Sequence, residues 1–184
     1  AYDFLGVMDF VRAKAGLAVR MNAIKPSLCD RPMIDWGAAY HPLLEFSLRK
    51  HGRRMSPLDI ELDGERRILL ISGPNAGGKS VCLKTVGLLQ YMLQCGLLIP
   101  VHERSHAGIF SSIFIDIGDE QSIENALSPY SSHLLNMKNM LRHCNERSLL
   151  LIDEFGSGTE PQIGGAMAEA ILKRFNQRRA YGVI

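Results

Sequence analysis

The chain has 184 residues, 46% of them hydrophobic and 22% charged, with a formal net charge of +2. That length supports one sizeable soluble core, and so small a charge does not imply nucleic acid through bulk electrostatics, so any such partner must be argued from local patches or from family resemblance. No apolar run approaches the roughly 18 residues of a membrane span, no signal peptide is evident, and Cys29, Cys82, Cys95 and Cys144 form no C-x-x-C pair. Free thiols in a reduced, cytoplasmic setting are expected.

Phe4, Leu5, Met8, Val11, Ala15, Ala18 and Val19 recur at three-to-four spacing. This predicts an amphipathic helix from Asp3 to about Ala23, capped by Asp3 and, from its abrupt start, cut from a longer arm. From Lys25 to Pro57, prolines and glycines punctuate short apolar pieces, which predicts loops and a small antiparallel layer. The basic run Arg49 to Arg54 lacks interleaved aromatic side chains and reads as a solvated loop rather than a nucleic-acid patch.

Ile68 to Ile71 reads as a short buried strand, and Ser80 to Leu98 has helical apolar spacing. Between them stand Gly73, Pro74, Asn75, Ala76, Gly77, Gly78, Lys79 and Ser80, which fit G-x-x-x-x-G-K-[ST] at every fixed position. Polyphosphate needs many donors converging on one point. A glycine-rich turn exposes successive backbone N–H groups, Lys79 offers an ammonium to the outer phosphates, Ser80 a hydroxyl to magnesium, and the following helix its positive end. The expected ligands are therefore a nucleoside triphosphate and Mg2+, with Val81 completing the nucleotide-contacting set.

His102-Glu-Arg-Ser-His106 fits the H-E-x-x-H zinc pattern, but Pro100 before it and Gly108 after it predict strand or loop, where the two imidazoles do not align as on a helix. Ile113 to Ile117 alternates like a strand. Helices are expected over Pro129 to His143 and Gly165 to Asn176, with Ser128 as the N-cap of the first, a position that also suits a phosphate. Ser148 to Asp153 reads as a fully buried strand. It delivers Asp153 to the edge where the phosphate loop lies, as a magnesium ligand, with Glu154 placed as general base toward water. A last strand begins near Ala180 and runs to Ile184. The fold class is α/β: a largely parallel sheet flanked by helices, with a small antiparallel layer.

Several motifs in order carry a resemblance. They are His41 to Leu44, Gly73 to Ser80, Asp116 to Ile123, Leu127 to His133, and Asp153 to Thr159. Together they resemble the ATPase domain of the MutS family of DNA mismatch-repair proteins, within the ABC-type ATPases. Gly118 to Ile123 and Gly156 to Pro161 look more like the second bacterial branch, MutS-II. The resemblance implies a homodimer with two ATP molecules sandwiched between subunits, switching a DNA-binding clamp. It implies that Ser128 reaches the γ-phosphate held by the opposite subunit, that Gly156 to Thr159 face the partner's nucleotide, and that Met55 packs on adenine. The family's Ser-Thr-Phe reads Ser128-Pro-Tyr130 here, which removes one hydroxyl and one N–H. Residues 1–24 correspond to the stump of a lever helix and 25–184 to an ATPase domain cut short before the family's Thr-His pair. The DNA clamp and a MutS-II nuclease domain would lie outside these residues. Whether the nucleic-acid partner is DNA or the ribosome stays open, and no membrane partner is expected. The alternatives are a transporter ATPase, which lacks its Leu-Ser-Gly-Gly-Gln string here, a chromosome-organising ATPase, which lacks its coiled-coil insertion, and a zinc protease.

Overall fold

The computed structural model describes residues 2–73, 78–117, 129–153, 155–156 and 160–184, with the backbone alone at 129 and 130. In chain order the elements are α1 (Tyr2–Met21), β1 (Ser27–Cys29), β2 (Ile34–Ala39), α2 (Pro42–Lys50), β3 (Leu58–Leu62), β4 (Ile68–Leu69), α3 (Lys79–Gln94), β5 (His106–Gly108), β6 (Ser112–Asp116), α4 (Pro129–His143), β7 (Ser148–Ile152), α5 (Pro161–Gln177) and β8 (Tyr181–Val183). Length alone predicts one core, yet the fold gathers into two compact units, residues 1–61 with 84–108, and residues 62–83 with 109–184.

The first unit holds a sheet in the order β1-β5-β2-β3. Ser27 pairs with His106 in parallel, whereas Ile34 pairs with Ala107 antiparallel. The layer is therefore mixed rather than purely antiparallel. The cause is β5, which arrives from far along the chain and inserts between β1 and β2, a pairing with no local sequence signal. Its insertion depends on Gly108: a Cβ there would lie 2.1 Å from the Arg31 carbonyl oxygen and 2.6 Å from the Met33 nitrogen. Gly108 instead donates its N–H to the Met33 carbonyl at 2.8 Å.

A helix also replaces part of the loop expected between Lys25 and Pro57. Pro42 opens α2, where a missing N–H costs nothing, and His41 caps it, Nδ1 accepting from the Leu44 N–H at 3.3 Å. Glu45 and Arg49 pair one turn apart at 2.7 Å. Arg49 and Lys50 thus end this helix, and only His51 to Arg54 form the exposed turn beyond it. α1 begins at Tyr2, so Asp3 lies inside its first turn rather than at the cap, still favourable to the helix dipole. Ala18 and Met21 are buried, while Phe4, Leu5, Met8 and Val11 are exposed.

The second unit holds a sheet in the order β4-β8-β7-β6, parallel throughout. Every residue of β7 is buried, as a continuous apolar run in a covered parallel sheet requires. Leu150 and Ile152 pack with Met137 and Met140 of α4 and Phe175 of α5. α4 keeps its expected bounds, and α5 starts at Pro161, four residues before the expected Gly165. β4 is shorter than the run Ile68 to Ile71, but its pairing continues, Ile71 donating to the Ile184 carbonyl at 2.7 Å.

Candidate functional site

In a parallel sheet all strands end at one edge, and ligands gather there. Here β4 leads into Gly73, β6 ends at Asp116, β7 is followed by Asp153, and β8 by Ile184. A cleft of about 580 Å3 opens at this edge, lined by Leu70, Ile71, Ser72, Gly73, Lys79, Leu83, Ile152, Asp153, Phe155 and Ile184. Gly73 (φ 148°) and Gly78 (φ 84°) both lie in the left-handed region that side chains disfavour. The Gly78 carbonyl accepts the Cys82 N–H at 2.9 Å. Lys79, Ser80 and Val81 therefore fall in the first turn of α3, the end of a helix whose dipole favours an anion.

The fold thus brings Gly73, Lys79 and Asp153 to one cleft, with Gly78, Ser80 and Val81 beside Lys79 in the chain. The donor set suits a magnesium–phosphate ligand: an ammonium and a helix N-terminus for phosphate oxygen, with hydroxyl and carboxylate oxygen for a hard cation. Pro74, Asn75, Ala76, Gly77, Ser128 and Glu154 lie outside the described residues, as do 118–127 and 157–159.

Met55 belongs to the first unit. There it lines a separate cleft of about 550 Å3 with Asn22, Tyr40, Glu45, Arg49, Gly52, Arg53 and Arg54. Glu45 organises this cleft, one carboxylate oxygen holding Arg49 at 2.7 Å and the other accepting the Met55 N–H at 3.4 Å. The H-E-x-x-H stretch has the turn and strand conformation expected of it. His102 accepts the Arg104 N–H at 3.3 Å, Ser105 accepts the Gly37 N–H at 3.1 Å, and His106 starts β5, facing Asp35 at 3.6 Å. No group of three metal-ligating side chains occurs among the described residues.

One constellation escaped the sequence reading. Asp116 is 5% exposed at the end of β6, and both its carboxylate oxygens are engaged by α4. His133 Nδ1 meets Oδ2 at 2.8 Å, and Asn136 Nδ2 donates to Oδ1 at 2.9 Å. The main-chain oxygen of Asp116 accepts the Asp153 N–H at 2.9 Å. The available signal was an acid closing an apolar strand and two polar side chains three apart on a helix, which are compatible but do not name each other.

Residues 69–183 match the family described as MutS domain V. Among curated proteins, the chain is 48% identical over 178 residues to the protein named endonuclease MutS2 of Geobacillus kaustophilus, covering 97% of this chain and 22% of that protein. It is 43% identical over 178 residues, with the same coverage, to the protein of that name from Carboxydothermus hydrogenoformans. For the one from Shouchella clausii the figure is 45% over 181 residues, 98% of this chain and 22% of the relative. The chain thus spans about a fifth of the length of these curated relatives.

Proposed function

Because the chain belongs to the MutS family, we propose that it binds ATP with magnesium and hydrolyses it, as the ABC-type ATPase part of a DNA-acting protein of the MutS-II branch. The observation that supports this best is the single cleft at the parallel-sheet edge that Gly73, Lys79 and Asp153 share. In this reading the Lys79 ammonium and the first-turn N–H groups of α3 hold the outer phosphates. Ser80 and Asp153 would ligate magnesium, which when bound neutralises phosphate charge.

Glu154 takes the proton of the attacking water as its oxygen bonds to the γ-phosphorus and ADP leaves. Ser128 reaches the γ-phosphate held by the partner copy, so that the homodimer is the hydrolytic unit, with DNA acted on elsewhere in the polypeptide. Met55 is assigned to adenine on the resemblance alone, and a cytoplasmic location goes with the whole reading. No described helix is long and apolar enough to cross a membrane.

A fluorescent ATP analogue tests the reading. Lys79→Ala should weaken binding by about 1.5–3 kcal/mol, the contribution of a hydrogen bond to a charged group. Glu154→Gln should bind as wild type and lose roughly 100- to 10,000-fold in turnover. Wild-type affinity in the first variant removes the phosphate loop from the account, and wild-type hydrolysis in the second removes the general base.

A further inference from the structure

Asp116 joins two parts of the proposed site that are otherwise remote in sequence. Its main chain holds Asp153, the proposed magnesium ligand, while its side chain holds His133 and Asn136 on one face of α4. α4 is the helix that begins directly after Ser128. A buried carboxylate is costly unless its oxygens are satisfied, and apolar side chains of similar volume would pack a helix on a strand as well or better. What directed hydrogen bonds add is orientation. Two of them, from side chains three residues apart to the two oxygens of one acid, fix both the rotation of α4 and its position along its axis. Because Nδ1 of His133 faces a carboxylate oxygen, that nitrogen carries the proton, so His133 acts here as donor.

We propose that Asp116 is a positioning residue for ATP hydrolysis, setting α4, the helix that follows Ser128 in the chain, in register with the Asp153 end of β7 through the hydrogen bonds of its carboxylate to His133 and Asn136. This rests on the reading of the site as a composite ATPase. None of the three side chains touches the nucleotide in it. Their effect falls on turnover rather than on affinity, since Lys79 is held by a different element, α3.

The test uses the full-length protein and separates packing from positioning. His133→Leu leaves Oδ2 of the buried carboxylate without its donor and loses stability as well as turnover. Asp116→Leu/His133→Leu replaces the pair by apolar contact, so its thermal midpoint should recover. Its turnover per folded dimer should stay about 10- to 100-fold below wild type, the scale of an ångström-level misplacement. Its affinity for the ATP analogue should remain within about twofold of wild type, as for loss of an interaction felt only in the transition state. His133→Asn, which keeps a donor near the place of Nδ1, should restore turnover. Wild-type turnover in the folded double variant overturns the proposal, as does a loss in His133→Asn equal to that in the double variant. Ser128→Ala, run alongside, tells the two failures apart. If it is inactive while the double variant is fully active, only the positioning role falls. If it hydrolyses ATP normally, the composite reading falls and takes this role with it.

Discussion

The two units are built from strands of similar length, yet they hold themselves together differently. In the second unit a contiguous stretch of chain supplies β6, α4, β7, α5 and β8, and its parallel sheet centres on a strand whose five residues are all buried. In the first unit three-residue strands from distant parts of the chain are interleaved, and the decisive contact is backbone against backbone at Gly108. The unit with the candidate site is thus stabilised by side-chain burial, which tolerates polar loops at the strand ends. The other depends on a close approach that only one residue type permits. A site that must present charged groups at one edge benefits from the first arrangement, because the apolar run fixes the edge without using it.

The largest effect expected from this contrast is at β7. Leu150→Ala removes a fully buried side chain packed between α4 and α5, and should cost about 2–5 kcal/mol in denaturant unfolding. A loss under about 1 kcal/mol would show that the second unit does not rest on that strand.

Next in size is Gly108→Val. Because the new Cβ meets backbone rather than a movable side chain, the cost should reach or exceed the upper end of the roughly 1–3 kcal/mol typical of overpacking. Thermal melts of Gly108→Ala and Gly108→Val check this, and either variant melting as wild type would mean that the turn at Arg31 to Met33 yields freely.

The smallest effect is an acid response that differs between the units. His41 caps α2 through an unprotonated Nδ1, and burial lowers its pKa from the ordinary 6.5, with Lys84 adding to the shift against an opposing backbone hydrogen bond. A folded pKa below the unfolded one means that this stability is complete above about 6.5 and is lost as pH falls through the folded value. Asp63, in the turn between β3 and β4, accepts the N–H groups of Arg66 and Glu65 and pairs with the Arg66 guanidinium, which holds it at about 2 against an ordinary 3.8. Its contribution is complete above 3.8 and fades only as pH approaches 2. Hydrogen exchange should therefore quicken first in the opening turn of α2 and only at far lower pH around Asp63, with Asp63→Asn removing the second response. A common onset would erase the distinction.

Much of the second unit was legible in the sequence because its signals are local. Leu149 to Ile152 is a run that only a covered strand accommodates, Pro129 and His143 bound a helix by chemistry at its ends, and the phosphate-loop pattern lies within eight consecutive residues. Lys79, Ser80 and Asp153 followed from these motifs, since a strand's end determines where the next residue stands. The first unit was read less well. Pro42 reads locally as punctuation yet opens α2, and the layer expected to be antiparallel is mixed because nothing within the three residues of β1 announces β5 as a parallel neighbour.

The sequence by itself therefore determined the α/β class, the order of strand, glycine-rich phosphate-loop pattern and helix, and the residue types at the sheet edge, all of which depend on periodicity and spacing over a few residues. The tertiary structure alone decided that β5 divides β1 from β2, that Gly108 permits it, and that Asp116 meets His133 and Asn136. The physical reason is common to all three. Each is a contact between segments far apart along the chain, selected by which backbones and polar atoms fit when the whole is packed, and no short window of residues encodes its partner.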